Sequence, residues 1–188
     1  MREVEVKAHL RNKEELLGKL TESGAVFAKS VTQNDTVFVR DASTMEKFLG
    51  NDCFLRIRET PESIIFTLKY HPNRTGNGNA LAMPLEHELT VSNKKELEEM
   101  LRLMGFVPAL VINKTRESCH VGDFEICVDE VEDLGSFIEV ERLTEHEEEV
   151  EPVIKDMKEF LCSLGVAESD MGVKRYDIQL LEKQFGTN

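Results

Sequence analysis

Acids and bases recur in this sequence at a spacing of two residues, and most short runs hold a single sign. Glu3 and Glu5 are followed by Lys7; Arg56 pairs in this sense with Arg58, Glu86 with Glu88, Lys114 with Arg116 and Glu139 with Glu141, while Lys69 and Asp129 stand in runs of alternating hydrophobic residues. Alternate residues of a β-strand share a face, so each run would present its charges together. Arginine offers a planar fork to phosphate oxygens and lysine a compact charge. Carboxylates beside a phosphate would repel it unless they held a hard divalent cation, and Mg²⁺ or Mn²⁺ takes oxygen ligands of this kind. The combination implies a polyphosphate substrate with its metal. No P-loop, G-x-G-x-x-G, H-E-x-x-H or G-x-S-x-G motif competes with that chemistry.

The elements that must position these residues are mostly strands. Period-two alternation predicts strands at 2–10, 34–40, 53–59, 63–70, 85–91, 110–118, 123–129 and 136–142. In each, the charged set opposes an apolar set: Val4 and Val6, Leu55 and Ile57, Ile64, Phe66 and Leu68, Phe124, Ile126 and Val128, Ile138 and Val140. Helices are predicted at 13–23, with Asn12 and Glu15 spaced as a capping box, at 93–104 with Gly105 as stop, and at about 149–164. A short fourth helix is predicted near 175–182. Regular strand–helix alternation is missing, so the class is α+β and mostly antiparallel. Amphipathic helices would cover the apolar faces, leaving the charged faces to line the inside of an eight-stranded closed β-barrel. Residues 71–79, rich in Gly and Asn, are too short to separate domains and read as a mobile loop. One domain over 1–188 is expected.

Composition bounds the alternatives. The chain has 188 residues and a net charge of −13, which argues against a surface that coats nucleic acid. Residues 129–151 hold eleven acids against Arg142 alone, so the average charge describes the surface poorly. The tract Glu145 to Glu151 reads as a solvated run before a helix N-terminus. No apolar run approaches the roughly 20 residues a membrane span needs, and the N-terminus has no signal-like apolar stretch. The four cysteines, Cys53, Cys119, Cys127 and Cys162, form no C-x-x-C pair and read as reduced, packed residues of a cytoplasmic protein. The five histidines lack ligand spacing.

Glu3-Val4-Glu5-Val6-Lys7 resembles the E-x-E-x-K opening strand of the CYTH family, the triphosphate tunnel metalloenzymes. Further motifs follow in the family's order: Phe54-Leu55-Arg56-Ile57-Arg58, Phe66-Thr67-Leu68-Lys69, Glu86-His87-Glu88, Lys114-Thr115-Arg116, and the stretch from Val128 to Glu141. The resemblance covers about 1–181. It implies that Glu3, Glu5, Glu139 and Glu141, with Asp129, are metal-side carboxylates for Mg²⁺ or Mn²⁺. It also implies a triphosphate cradle of Lys7, Arg56, Arg58, Lys69, Lys114 and Arg116, with Lys7, Lys69 and Arg116 as its catalytic members. Glu86 and Glu88 either touch a metal or pair with a cradle base. Tyr176 matches a tyrosine near the family's C-terminus, although Arg175 replaces the serine common before it. In Asp35-Thr36-Val37-Phe38-Val39-Arg40, Val37 and Arg40 depart from the family pattern and leave the substrate contacts of that strand open.

The layout looks closest to the class IV adenylyl cyclases. The resemblance therefore implies conversion of ATP to cyclic AMP and pyrophosphate. The alternatives are a triphosphatase acting on tripolyphosphate, thiamine triphosphate or a nucleotide, and a non-catalytic module that binds polyphosphate. The expected partner is a small triphosphate, with neither nucleic acid nor membrane, and the chain is a monomer or a homodimer.

Overall fold

Eight strands and five α-helices form among the described residues of the computed structural model, which are 2–70, 85–145 and 150–186. In chain order the strands are β1 (Arg2–His9), β2 (Val31–Val39), β3 (Cys53–Glu59), β4 (Ile64–Tyr70), β5 (Leu85–Thr90), β6 (Val107–Val121), β7 (Phe124–Val131) and β8 (Gly135–Thr144). The helices are α1 (Lys13–Glu22), α2 (Met45–Leu49), α3 (Lys94–Leu103), α4 (Val150–Ser163) and α5 (Tyr176–Phe185). The fold is α+β and antiparallel, as the alternation predicts. All eight expected strands form; β6 runs well beyond the expected 110–118 at both ends. The hydrogen-bonded order is β1-β8-β7-β6-β2-β3-β4-β5. β1 and β5 are its two ends, and no ladder joins them among the described residues, so the expected ring of backbone hydrogen bonds is not completed. The loop expected at 71–79 and residues 146–149 of the acidic tract lie outside the described residues.

Contacts divide the chain into two units: 1–31 with 114–174, and 32–113 with 175–188. In the first, β1, β8, β7 and the second half of β6 turn Val4, Val6, Ala8, Ile126, Val128, Ile138 and Val140 toward Leu16 and Leu20 of α1 and Val153, Met157 and Leu161 of α4. Asn12 caps α1, accepting from the Glu15 N–H at 3.2 Å, while the Glu15 carboxylate accepts from the Asn12 side-chain amide rather than from its backbone N–H as a capping box would. Burying several aliphatic side chains at about 1.5–3 kcal/mol each fixes which face of each strand meets the helices. The opposite face therefore carries the charge.

The turn between β7 and β8 sets the register of that charged face. Val131 pairs with Gly135 across a three-residue loop, in which Asp133 takes a left-handed φ of 66° and Gly135 follows at 93°. From there Cys127 falls opposite Glu139, and Glu125 opposite Glu141. A slip of one residue would send every carboxylate into the apolar layer.

The second unit repeats the scheme. Phe38 of β2, Leu55 and Ile57 of β3, Leu101 of α3 and Phe106 form its core, with Ile64, Phe66, Leu68 and Leu97 packed against it. Asn93 caps α3 by accepting from the Glu96 N–H at 3.1 Å. The short helix α2, capped by Thr44, was not expected, because five residues carry too little periodicity to be read.

Candidate functional site

Within the first unit the ladders align the charged face in rows. One row reads His120, Glu125, Glu141, Glu5 across β6, β7, β8 and β1; the next reads Ser118, Cys127, Glu139, Lys7. A third begins Arg116, Asp129. Bases and acids thus meet as cross-strand neighbours, the shortest distance a sheet offers between side chains.

Three bases are held by two buried carboxylates. Asp129, fully buried, accepts from Lys114 Nζ at 2.8 Å and from Arg116 Nε and Nη2 at 2.7 Å each. Arg116 also donates to Glu139, which Lys7 Nζ reaches at 2.7 Å. Burial disfavours the charge of Glu139, but Lys7, Arg116 and Lys114 outweigh it and hold its carboxyl well below the usual range. Burial likewise opposes the charge of Lys7, and Glu139 and Glu5 more than restore it. These are charge-assisted, partly bidentate bonds, so the bases are fixed before any ligand arrives.

A different environment surrounds Glu141. Its carboxylate oxygen lies within 4.8 Å of ligand atoms of Glu3 and Glu5 and makes no ion pair among the described residues. Burial, followed by the charges of Glu3 and Glu139, pushes its carboxyl up to about 8. Three clustered oxygen donors fit a hard divalent cation such as Mg²⁺ or Mn²⁺. Of the five carboxylates expected on the metal side, Glu3, Glu5 and Glu141 converge in this way. Asp129 and Glu139 are engaged by Lys114, Arg116 and Lys7.

The second unit carries its own polar face. Arg58 makes a bidentate pair with buried Asp35 at 2.8 and 2.7 Å. Arg56 Nη2 donates to Thr67 Oγ1 at 3.1 Å and to Glu88 at 3.0 Å, and Thr67 donates to the same Glu88 oxygen at 2.7 Å. Arg56 Nε is buried without a hydrogen-bond partner. Burial, then the like charge of Arg58, pulls the Arg56 guanidinium below its ordinary value. Lys69 pairs with Glu86. Both Glu86 and Glu88 therefore pair with bases, one of the two roles open to them from sequence.

Two expected residues stand elsewhere. Arg40 turns to the apolar side of β2, where its guanidinium lies 4.5 Å from the Phe106 ring centroid and donates to the Met104 carbonyl at the end of α3. Tyr176 is buried at the start of α5, beside Arg175, which stacks over Phe54 at 5.0 Å and pairs with Asp177. Sequence reasoning did not single out Asp35 or Thr67. Their signal was parity: each lies directly across a ladder from an arginine, Asp35 from Arg58 and Thr67 from Arg56.

The fold is that of a known class. The family model described as "CYTH domain" matches residues 1–175, and the chain belongs to the CYTH family. It is similar, at 28% identity over 94% of its length and 97% of the relative's, to a Methanocaldococcus jannaschii protein named "putative adenylate cyclase". Among solved structures, a Pyrococcus horikoshii protein superposes with a TM-score of 0.77 at 26% identity, covering 97% of this chain and 99% of that one. An adenylyl cyclase candidate from Hippeastrum, described as having a dominant triphosphatase activity, shares the fold with a TM-score of 0.63 at 17% identity, covering 97% and 95%. No helix among the described residues is long and apolar enough to cross a membrane.

Proposed function

We propose that this protein is a divalent-metal-dependent enzyme acting on a triphosphate, and that its reaction is the conversion of ATP to cyclic AMP and pyrophosphate. One observation carries the reading: the oxygen triad Glu3, Glu5 and Glu141 lies on the same face as three bases that Asp129 and Glu139 already hold in place. Binding a polyphosphate alone would need the bases but not the carboxylate triad. The cyclase assignment draws on the name of the Methanocaldococcus relative.

Glu3, Glu5 and Glu141 would hold Mg²⁺ or Mn²⁺, which supplies charge neutralisation at the phosphate oxygens. Lys7, Lys114 and Arg116 bind and orient phosphate oxygens. Arg116 spends Nε and Nη2 on carboxylates and keeps Nη1 for an incoming oxygen. Arg56, Arg58 and Lys69 offer a second set of phosphate-binding groups, each braced by an acid. In the reaction the ribose 3′-oxygen bonds to the α-phosphorus, the bond to pyrophosphate breaks, and the hydroxyl proton leaves to solvent. The residues contribute positioning and fixed positive charge where negative charge shifts.

The same groups would serve water as the nucleophile at a terminal phosphorus, and the described activity of the Hippeastrum protein gives that second reading its support. Incubation with Mg²⁺ or Mn²⁺ and, separately, ATP, tripolyphosphate and thiamine triphosphate separates the two. Cyclic AMP with pyrophosphate is the expected result. Orthophosphate release in its place establishes hydrolysis, and triphosphate binding without turnover overturns both.

A further inference from the structure

Glu141 belongs to two clusters of donor atoms. With Glu3 and Glu5 it forms the all-oxygen triad; with Glu125 and Cys127 it forms a second triad whose ligand atoms also lie within 4.8 Å of one another. Cys127 is not a core residue by position. Its strand parity places it with Glu125 and Asp129 on the charged face, directly opposite Ser118 and Glu139. It is nevertheless 99% buried, at 1% exposure, and its sulfur makes no hydrogen bond among the described residues while it faces two carboxylates.

We propose that Cys127, Glu125 and Glu141 form a second cation site selective for a borderline-soft divalent ion of the Zn²⁺ class. A thiolate beside two carboxylates suits Zn²⁺ and gives Mg²⁺ nothing that oxygen does not give better. Without a cation, the carboxyl groups of Glu125 and Glu141 face each other across a ladder, which is unfavourable once both are charged. A bound dication reverses that sign. The metal displaces the thiol proton to solvent as the thiolate bond forms. Because Glu141 serves both triads, occupancy of the sulfur site withdraws a ligand from the oxygen site. Zn²⁺ then antagonises Mg²⁺-dependent turnover, a consequence that rests on the proposed function; the binding itself does not.

The test uses Co²⁺ and Zn²⁺ on the nucleotide-free full chain carrying Cys53→Ser and Cys162→Ser, which removes the more accessible thiols. Co²⁺ is expected to produce a thiolate-to-metal charge-transfer band that Cys127→Ala abolishes. Zn²⁺ affinity, read by competition with a chromophoric chelator, is expected to fall about tenfold or more in Cys127→Ala and in Glu125→Gln. Glu125 is exposed, so Glu125→Gln retains the fold even where Cys127→Ala does not. A Co²⁺ spectrum without a thiolate band, or unchanged Zn²⁺ affinity in Glu125→Gln, overturns the site. No substrate is present, so absence of cyclase or triphosphatase activity leaves the outcome untouched.

Discussion

Glu141 stands directly opposite Glu5 across the β8–β1 ladder, two carboxylates at the separation a sheet usually reserves for attractive pairs. The carboxyl of Glu141 is raised from its ordinary 4.5 to about 8. Below its unfolded value, folded and unfolded chains both hold the proton and the group is neutral in its effect. As pH rises from about 4.5 to about 8, the unfolded chain gives up the proton and the folded chain keeps it, so stability falls with pH; above about 8 the full cost is present. Urea denaturation in the presence of a chelator should therefore show a loss on the order of a few kcal/mol across that interval. Glu141→Gln should flatten it, and added Mg²⁺ or Mn²⁺ should restore stability to the parent protein only. A chelated protein equally stable at both ends of the interval would show that folding does not raise the Glu141 carboxyl.

Asp129 neutralises Lys114 and Arg116 where none of the three reaches much water. Asp129→Ala leaves two buried cations without their acid, and breaking a buried pair in this way costs about 3–5 kcal/mol. The exposed pair Lys155–Glu159 on α4 is the contrast, since removing Glu159 should cost no more than about 0.5 kcal/mol. Denaturation midpoints of Asp129→Ala and Glu159→Ala compare the two directly. Similar losses in both would mean that Asp129 does not brace the bases.

Strand parity made most of the charged face legible, because a half-buried strand records its two faces in alternate residues. Glu3, Glu5 and Lys7, or Glu139 and Glu141, were readable as sets for that reason. Which acid meets which base was not readable, because that depends on register, and register depends on turns such as Asp133 to Gly135. The grip of Asp129 on Lys114 and Arg116 is such a pairing. The place of Arg40 was not readable for a related reason: it follows Val39 at the end of β2, where the alternation gives way to a loop and the guanidinium lies over Phe106. Helix α2 left only the Thr44 cap as a signal.

Thiol reactivity should follow burial and charge together. Cys162 is exposed, whereas Cys119 and Cys127 are buried, and desolvation raises both buried thiols. Brief alkylation of the native, metal-free protein at neutral pH, followed by peptide mass spectrometry, should label Cys162 first and leave Cys119 and Cys127 unmodified until denaturant is added. Early labelling of Cys127 would show that its face opens in solution.

Arg56 gives the sharpest test of the second polar face as a phosphate-binding surface. Its Nη2 is fixed by Thr67 and Glu88, while its buried Nε has no partner, which costs free energy unless a ligand supplies an acceptor. Losing a charge-assisted bond of roughly 1.5–3 kcal/mol should raise KM for the triphosphate by about tenfold or more in Arg56→Ala. Arg56→Lys keeps the charge without the fork and should recover part of that loss. Thr67→Val removes only the hydroxyl that links Glu88 to Arg56, so its effect should be smaller and confined to the same parameter. Steady-state kinetics on the three variants decides the matter. A KM unchanged in Arg56→Ala would confine Arg56 to a structural role, with Glu88 and Thr67 as its partners and no phosphate among them.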